Sequence, residues 1–295
     1  MRNISMKFDE KGIIREELSS LNNPLLIAGF DGWGNALGVS KAMTEYLTKK
    51  TKAKPFANIN SDIFYRYDAT RPIVTIIEGQ LNAFDPPGGS FFATTDPSLG
   101  RDIVILTASE PNLYWFRFAD ELFTMCKDLG IETVITIGSM YDNVLHNERI
   151  ISGVASNEYL VNILKKKKIS PIHYQGPGSF HSILQFEGKK RGFNCVSLWC
   201  HCPFYLEGIT HFGLLASLAN MIAYLGEFEM DTDDLEKSWE KLNDRIQKLI
   251  ENNTKVQDII KELQDAKISG MRDTIKQSIN KDEKVINIKD FLDPA

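Results

Sequence analysis

Cysteine is scarce: four in 295 residues. Cys126, Cys195, Cys200 and Cys202 lack the spacing of a disulfide framework, and three crowd one apolar stretch. Free thiols in a reducing, cytoplasmic setting are therefore expected. Residues 1–20 are studded with charges and have no apolar centre, so no secretory signal is expected. The longest apolar run, residues 212–225, contains Asn220 and falls short of the roughly 17–25 residues that a membrane span needs. It predicts a buried helix, and no membrane partner. Positive charge is also in deficit, with 34 Lys and Arg against 39 Asp and Glu for a net charge of −5. That balance gives no general attraction to nucleic acid. The run Lys165-Lys166-Lys167-Lys168 falls at a helix end, where cations complement the dipole.

Several motifs are missing as well. No G-x-x-x-x-G-K-[ST] loop and no G-x-S-x-G elbow occur, which excludes those nucleotide and nucleophile sites. Cys200-His201-Cys202 has no second ligand pair, and strand alternation turns His201 away from the two thiols, so no metal is expected. Gly32-Trp33-Gly34-Asn35-Ala36-Leu37-Gly38 is G-x-G-x-x-x-G, one residue too long for the dinucleotide fingerprint, and no acidic residue follows at the required distance. No cofactor is expected. The glycines read as a tight turn that lets a helix approach the strand before it.

What is present is an ordinary globular composition, 43% apolar and 25% charged. Near-continuous apolar runs at 25–30, 73–77, 103–107, 133–137 and 195–199 predict strands covered on both faces. Helical patterns lie between them, at 111–129 (Asn112 as cap, Gly130 as stop), 157–168, 179–190 and 209–225. Strand–helix alternation implies an α/β fold with a mainly parallel sheet between helices. Residues 56–96 lose the helical period, and 63–67 and 91–94 read as added strands that make the sheet mixed.

After Glu229 the composition turns to charged and amide residues. Leu235, Trp239, Leu242, Ile246 and Leu249, then Val256, Ile260 and Leu263, then Ile268, Met271 and Ile275, form a narrow seam. It suits a helical hairpin folded on its own domain or a subunit contact, with turns at Asn252-Asn253 and Gly270. The expected organisation is a core domain over 1–230, a helical extension over 231–280 and a tail over 281–295, where 284–288 is a late strand or an unstructured end.

In open α/β sheets, ligands bind beyond the carboxyl ends of the strands. Asp31, Glu78, Glu110, Tyr141, Asp142 and His201 follow such runs, either as a shared site or as caps of the helices that follow. Gln175-Gly176-Pro177-Gly178 reads as a rigid turn into a helix.

These elements together resemble the proteasome assembly chaperone 2 family. The similarity rests on Ala28-Gly29-Phe30-Asp31-Gly32-Trp33-Gly34-Asn35-Ala36, Glu110-Pro111-Asn112 with Trp115 and Phe118, Gly130-Ile131 leading to Ile135-Thr136-Ile137-Gly138, Gln175-Gly176-Pro177-Gly178, and Val196-Ser197-Leu198-Trp199 with Pro203-Phe204-Tyr205. They run in the family's order across about residues 25–225. The resemblance implies a three-layer α/β/α fold of the phosphorylase/hydrolase-like kind, self-association into a homo-oligomer, a C-terminal helical extension and no established catalytic set. The chain ends Asp293-Pro294-Ala295 rather than in the hydrophobic-tyrosine tail of relatives that dock on the proteasome, and Leu145-His146-Asn147-Glu148 replaces a Pro-His-Thr-Arg motif.

The expected function is that of a chaperone or scaffold without catalysis, whose partners are itself and proteasome subunits or another protein client. The candidate contact site is Asp31, Trp33, Glu110, Asn112, Tyr141 and His146. The alternative is an enzyme or small-molecule binder using the same crevice for a nucleoside-like ligand.

Overall fold

The computed structural model describes residues 10–18 and 20–268. In chain order the elements are β1 (Ile13–Arg15), β2 (Leu25–Asp31), α1 (Val39–Lys50), β3 (Lys54–Ile59), α2 (Ser61–Phe64), β4 (Ile73–Ile77), β5 (Gln80–Asp85), β6 (Gly89–Thr94), β7 (Ile103–Ser109), α3 (Trp115–Asp128), β8 (Thr133–Asp142), β9 (Ile151–Ala155), α4 (Glu158–Lys166), β10 (Ser170–Pro171), α5 (Phe180–Lys190), β11 (Asn194–Pro203), α6 (Phe212–Gly226), α7 (Asp233–Asn252) and α8 (Thr254–Ile268).

Nine strands form one mixed sheet in the order β1-β3-β6-β7-β2-β8-β11-β9-β10. Its centre, β7-β2-β8-β11, is parallel, and antiparallel pairs flank it at β6/β7 and β11/β9. Side-chain alternation divides the core. Leu25 and Ile27 of β2 face α1, α4 and α6, whereas Leu26, Ala28 and Phe30 face α3 and α5. The central strands are thus covered on both sides, which gives three layers, and each large side chain fully buried contributes about 1.5–3 kcal/mol.

Helix ends follow local chemistry. Asn157 caps α4 by accepting the Leu160 N–H at 2.9 Å. Gly130, at φ 76°, closes α3. Asn112 does not cap α3, which begins after Tyr114 in a left-handed conformation. Instead its side-chain oxygen accepts the Arg66 N–H at 3.1 Å.

Two strand expectations fail. Residues 63–67 include the end of the short helix α2, because Phe64 turns inward beneath Phe118. Ile73–Ile77 is a strand, but it pairs only with β5 in a separate two-stranded sheet, and every residue of it is exposed. Its composition matches that of a central strand; its surroundings do not.

From Leu235 to Leu263 the apolar seam packs against its own chain. Leu235 joins the core beneath α6, and Trp239, Leu242, Ile246, Val256, Ile260 and Leu263 cluster with Tyr205 and Leu206. Tyr46 donates to Asp234 at 2.9 Å, and Arg149 holds Glu236 through two bonds of 2.6 and 2.7 Å. These pairs are half-exposed and add little energy. Burial of the seam is what holds the helix. Met271, Ile275, Gly270 and the stretch 281–295 lie outside the described residues.

Candidate functional site

The glycine-rich turn after β2 is a set of close approaches. A Cβ on Gly32 would lie 2.6 Å from Cβ of Glu110, and one on Gly34 would lie 3.0 Å from the Trp199 ring. Gly138 makes room for the same indole, which comes within 2.8 Å of the position its Cβ would take. Glycine is needed because neighbouring side chains occupy the space. Asn35 ties the turn together: its amide donates to Asp31 at 2.9 Å, and its oxygen accepts the Ser40 N–H at the start of α1 at 2.8 Å.

Glu110 sits immediately beyond β7, beside the end of β2. Its N–H donates to the Asp31 carbonyl at 2.7 Å. One carboxylate oxygen accepts the Trp33 N–H at 3.0 Å, and the other accepts the Phe180 N–H at 2.7 Å. Phe180 opens α5, so the negative charge also meets the positive end of a helix dipole. Both oxygens therefore serve as structural acceptors, one for the Trp33 turn and one for the start of α5.

Asp31, Trp33, Glu110 and Asn112 all line one crevice of about 620 Å³, together with Arg66, Thr70 and Trp115. Trp33 projects from its rim, 66% exposed. Arg66 is held by Asp68 at 2.7 Å, and Thr70 donates to Asn112 at 3.3 Å. The walls thus combine indole faces, one guanidinium and the carboxylates of Asp31 and Glu110.

Tyr141 and His146 are not among the residues lining that crevice. Tyr141 stands at the end of β8, half-exposed, its hydroxyl pKa raised by partial burial. His146 is buried against Tyr205, whose hydroxyl receives the His146 N–H at 2.6 Å and lies 3.0 Å from Nδ1. The His146 carbonyl in turn accepts from Nε2 of His211 at 2.9 Å, and His211 stacks on Trp239 with ring centroids 4.5 Å apart. Burial pushes the His211 pKa down to about 4, keeping the ring neutral. His146 thus belongs to the seat of α7.

Two arrangements escaped the sequence reading. Ser152 Oγ lies 2.9 Å from His201 Nε2, and His201 Nδ1 lies 2.7 Å from Asp142. The carboxylate fixes the Nδ1–H tautomer, so Nε2 accepts from the serine. These are triad distances. Yet Ser152 is only 4% exposed and lines neither this crevice nor the cavity described next. The array ties β8, β9 and β11 together. That cavity, of about 320 Å³ between α5, β9 and β11, is lined by His181, Gln185, Lys189 and Trp199. His181 is wholly buried with no partner for either nitrogen, and its pKa is pushed down to about 4. Strand pairing across 49 and 59 residues, not any local motif, creates the serine array. Among the described residues no three His, Cys, Asp or Glu side chains are grouped to hold a metal ion. The four thiols are buried and their pKa values raised by that burial.

The model of the PAC2 family matches residues 26–250, which take in the crevice and most of α7. The chain belongs to the PAC2 family. No curated protein matches it. Among solved structures, this PAC2 chain is similar to a proteasome-assembly chaperone homologue of Mycobacterium tuberculosis, with 22% identity and a TM-score of 0.73 over 80% of this chain and 99% of that one. A PAC2 family protein from Streptomyces avermitilis superposes with 23% identity and a TM-score of 0.70, again over 80% and 99%. An archaeal proteasome activator from Pyrococcus furiosus gives 19% identity and 0.62 over 80% and 97%. At these identities the likeness establishes a common PAC2 fold. Among the described residues no helix is long and apolar enough to cross a membrane.

Proposed function

We propose that this PAC2 protein is a cytoplasmic, self-associating chaperone or scaffold that binds a protein partner at the Asp31–Trp33–Asn112 crevice and performs no catalysis there. The observation that carries the reading is the state of Glu110: its two oxygens hold the Trp33 turn and the start of α5. Trp33 at the crevice rim is exposed, as are Tyr114 and Phe116, which adjoin the lining residues Leu113 and Trp115 in sequence, and exposed rings suit a protein contact. The proteasome-assembly chaperone homologue and the proteasome activator among similar structures support a proteasome-related partner. Reconstitution with proteasome subunits from the same organism tests it. Faster assembly with the intact chain, lost in a Trp33→Ala/Tyr114→Ala variant, is expected; assembly indifferent to the chain overturns it.

A second reading, a small-molecule site, is favoured by the crevice volume of about 620 Å³, within the usual range for ligand pockets. A nucleoside screen by thermal shift decides it: stabilisation abolished by Asp31→Ala supports a ligand, and no shift removes it.

A further inference from the structure

The cavity between α5, β9 and β11 ends on polar atoms that have nothing to bind. Folded chains leave few buried polar groups unpaired, because each costs the desolvation of a donor or acceptor. Here both nitrogens of His181 and Oε1 of Gln185 are buried without a hydrogen-bond partner. His181 is only 2% exposed, its ring set edge-on to Phe30 and tilted against Trp199, with centroids 5.6 and 5.1 Å away. His181, Gln185 and Lys189 follow at i, i+4 and i+8, so they run along one face of α5, and all three line the cavity. Gln185 is tethered only by a 3.5 Å contact from Nε2 to the Val154 carbonyl, the limit of a hydrogen bond, so its amide swings aside at little cost and opens the inner end.

The lining changes character along that face. Val154, Phe186 and Trp199 form apolar walls. At the outer end Lys189 is the one Lys, Arg, Asp or Glu among the described residues that line the cavity. Its neighbours Lys190 and Arg191 pair with Glu187, whereas Lys189 makes no ion pair among the described residues. The helix rises about 12 Å from His181 to Lys189, and helical side chains lean toward the N-terminus, which brings the ammonium back over the cavity. The volume of about 320 Å³ is that of roughly ten waters, room for one ring with its substituents. We propose that this cavity binds a small hydroxyaryl carboxylate, its ring against Trp199, its hydroxyl at His181 and Gln185 and its carboxylate at Lys189. A hydroxyl suits the inner end because it accepts the imidazole N–H while donating to Gln185 Oε1. A carboxylate suits the outer end because the lining supplies a cation and, among the described residues, no carboxylate to repel it. Asp31, Trp33 and Glu110 do not line this cavity, so the site is separate from the crevice and does not rest on the function proposed above.

Calorimetric titration of the intact chain with 4-hydroxybenzoate tests the site, beside 4-hydroxybenzamide, which lacks the charge, and benzoate, which lacks the hydroxyl. One saturable site is expected for 4-hydroxybenzoate at millimolar concentration, with each analogue about five- to tenfold weaker. Lys189→Met should lower the acid to the affinity of the amide and leave the amide unchanged; Lys189 is exposed, so this variant keeps the fold. His181→Phe keeps an aromatic ring and should erase the preference for 4-hydroxybenzoate over benzoate. Absence of saturable heat from 4-hydroxybenzoate overturns the proposal. An affinity for the acid that Lys189→Met leaves unchanged overturns it too, as does a preference for the hydroxyl that survives His181→Phe.

Discussion

Glu110 accepts the first backbone N–H of α5, that of Phe180, at 2.7 Å across 70 residues of sequence. The same carboxylate holds the Trp33 turn, so one side chain positions both the mouth of the crevice and the helix behind it. Removing it leaves two donors without their acceptor. Glu110→Ala should cost about 1–3 kcal/mol, read as a fall in the urea midpoint. Glu110→Gln keeps one acceptor oxygen and should lose less.

The indole of Trp199 lies where a side chain on Gly138 would have to go. Gly138→Ala is therefore expected to displace the ring, costing about 1–3 kcal/mol with a shift in tryptophan emission. Gly79, with open space around its missing Cβ, faces no such clash and serves as the contrast for crowding.

Docking of α7 depends on Trp239, stacked on His211 and crossed by the Arg149 guanidinium 5.6 Å from its ring. Trp239→Ala should cost about 3–5 kcal/mol. Limited proteolysis should then cut between α6 and α7 at protease levels that leave the wild type intact.

His181 and His211 are both held near pKa 4, well below the ordinary 6.5, because burial penalises their charged forms. The unfolded chain binds their protons first as pH falls. Stability from the two neutral rings is complete above about pH 6.5, declines between 6.5 and 4, and is gone below 4, by about 3 kcal/mol per ring. Denaturant titrations from pH 7 to 4 should show this slope, and a His211→Phe variant, which keeps a ring against Trp239, should flatten part of it.

The Ser152–His201–Asp142 array has the distances of a hydrolytic triad but a sealed serine. A fluorophosphonate probe is expected to leave Ser152 unlabelled in the folded chain, as mass spectrometry of the digest would show. His201→Ala should cost about 1–3 kcal/mol by leaving the buried Ser152 hydroxyl without its acceptor.

The sequence made the sheet legible where physics leaves a local signature. Strands buried on both faces read as unbroken apolar runs, and 25–30, 103–107, 133–137 and 195–199 were visible for that reason, each lying within an observed strand. Ile73–Ile77 carries the same signature and is a strand, but without the expected cover, since hydropathy records a need for cover and not where it is met. Asp31, Trp33, Glu110 and Asn112 could be grouped because β2 and β7 are neighbours and end side by side. His146 could not be separated from them: its partner Tyr205 is 59 residues away and no periodicity announces the pairing. The serine array was hidden for the same reason.

Each of the four native sulfurs is sealed in the core, Cys126 and Cys195 beside α3 and α5 and Cys200 and Cys202 on the opposite face. The native molecule therefore offers maleimides no accessible target in its folded body. A single engineered thiol at an outward position would be its one addressable handle, and a fluorophore there could follow helix movements without stripping the wild-type background.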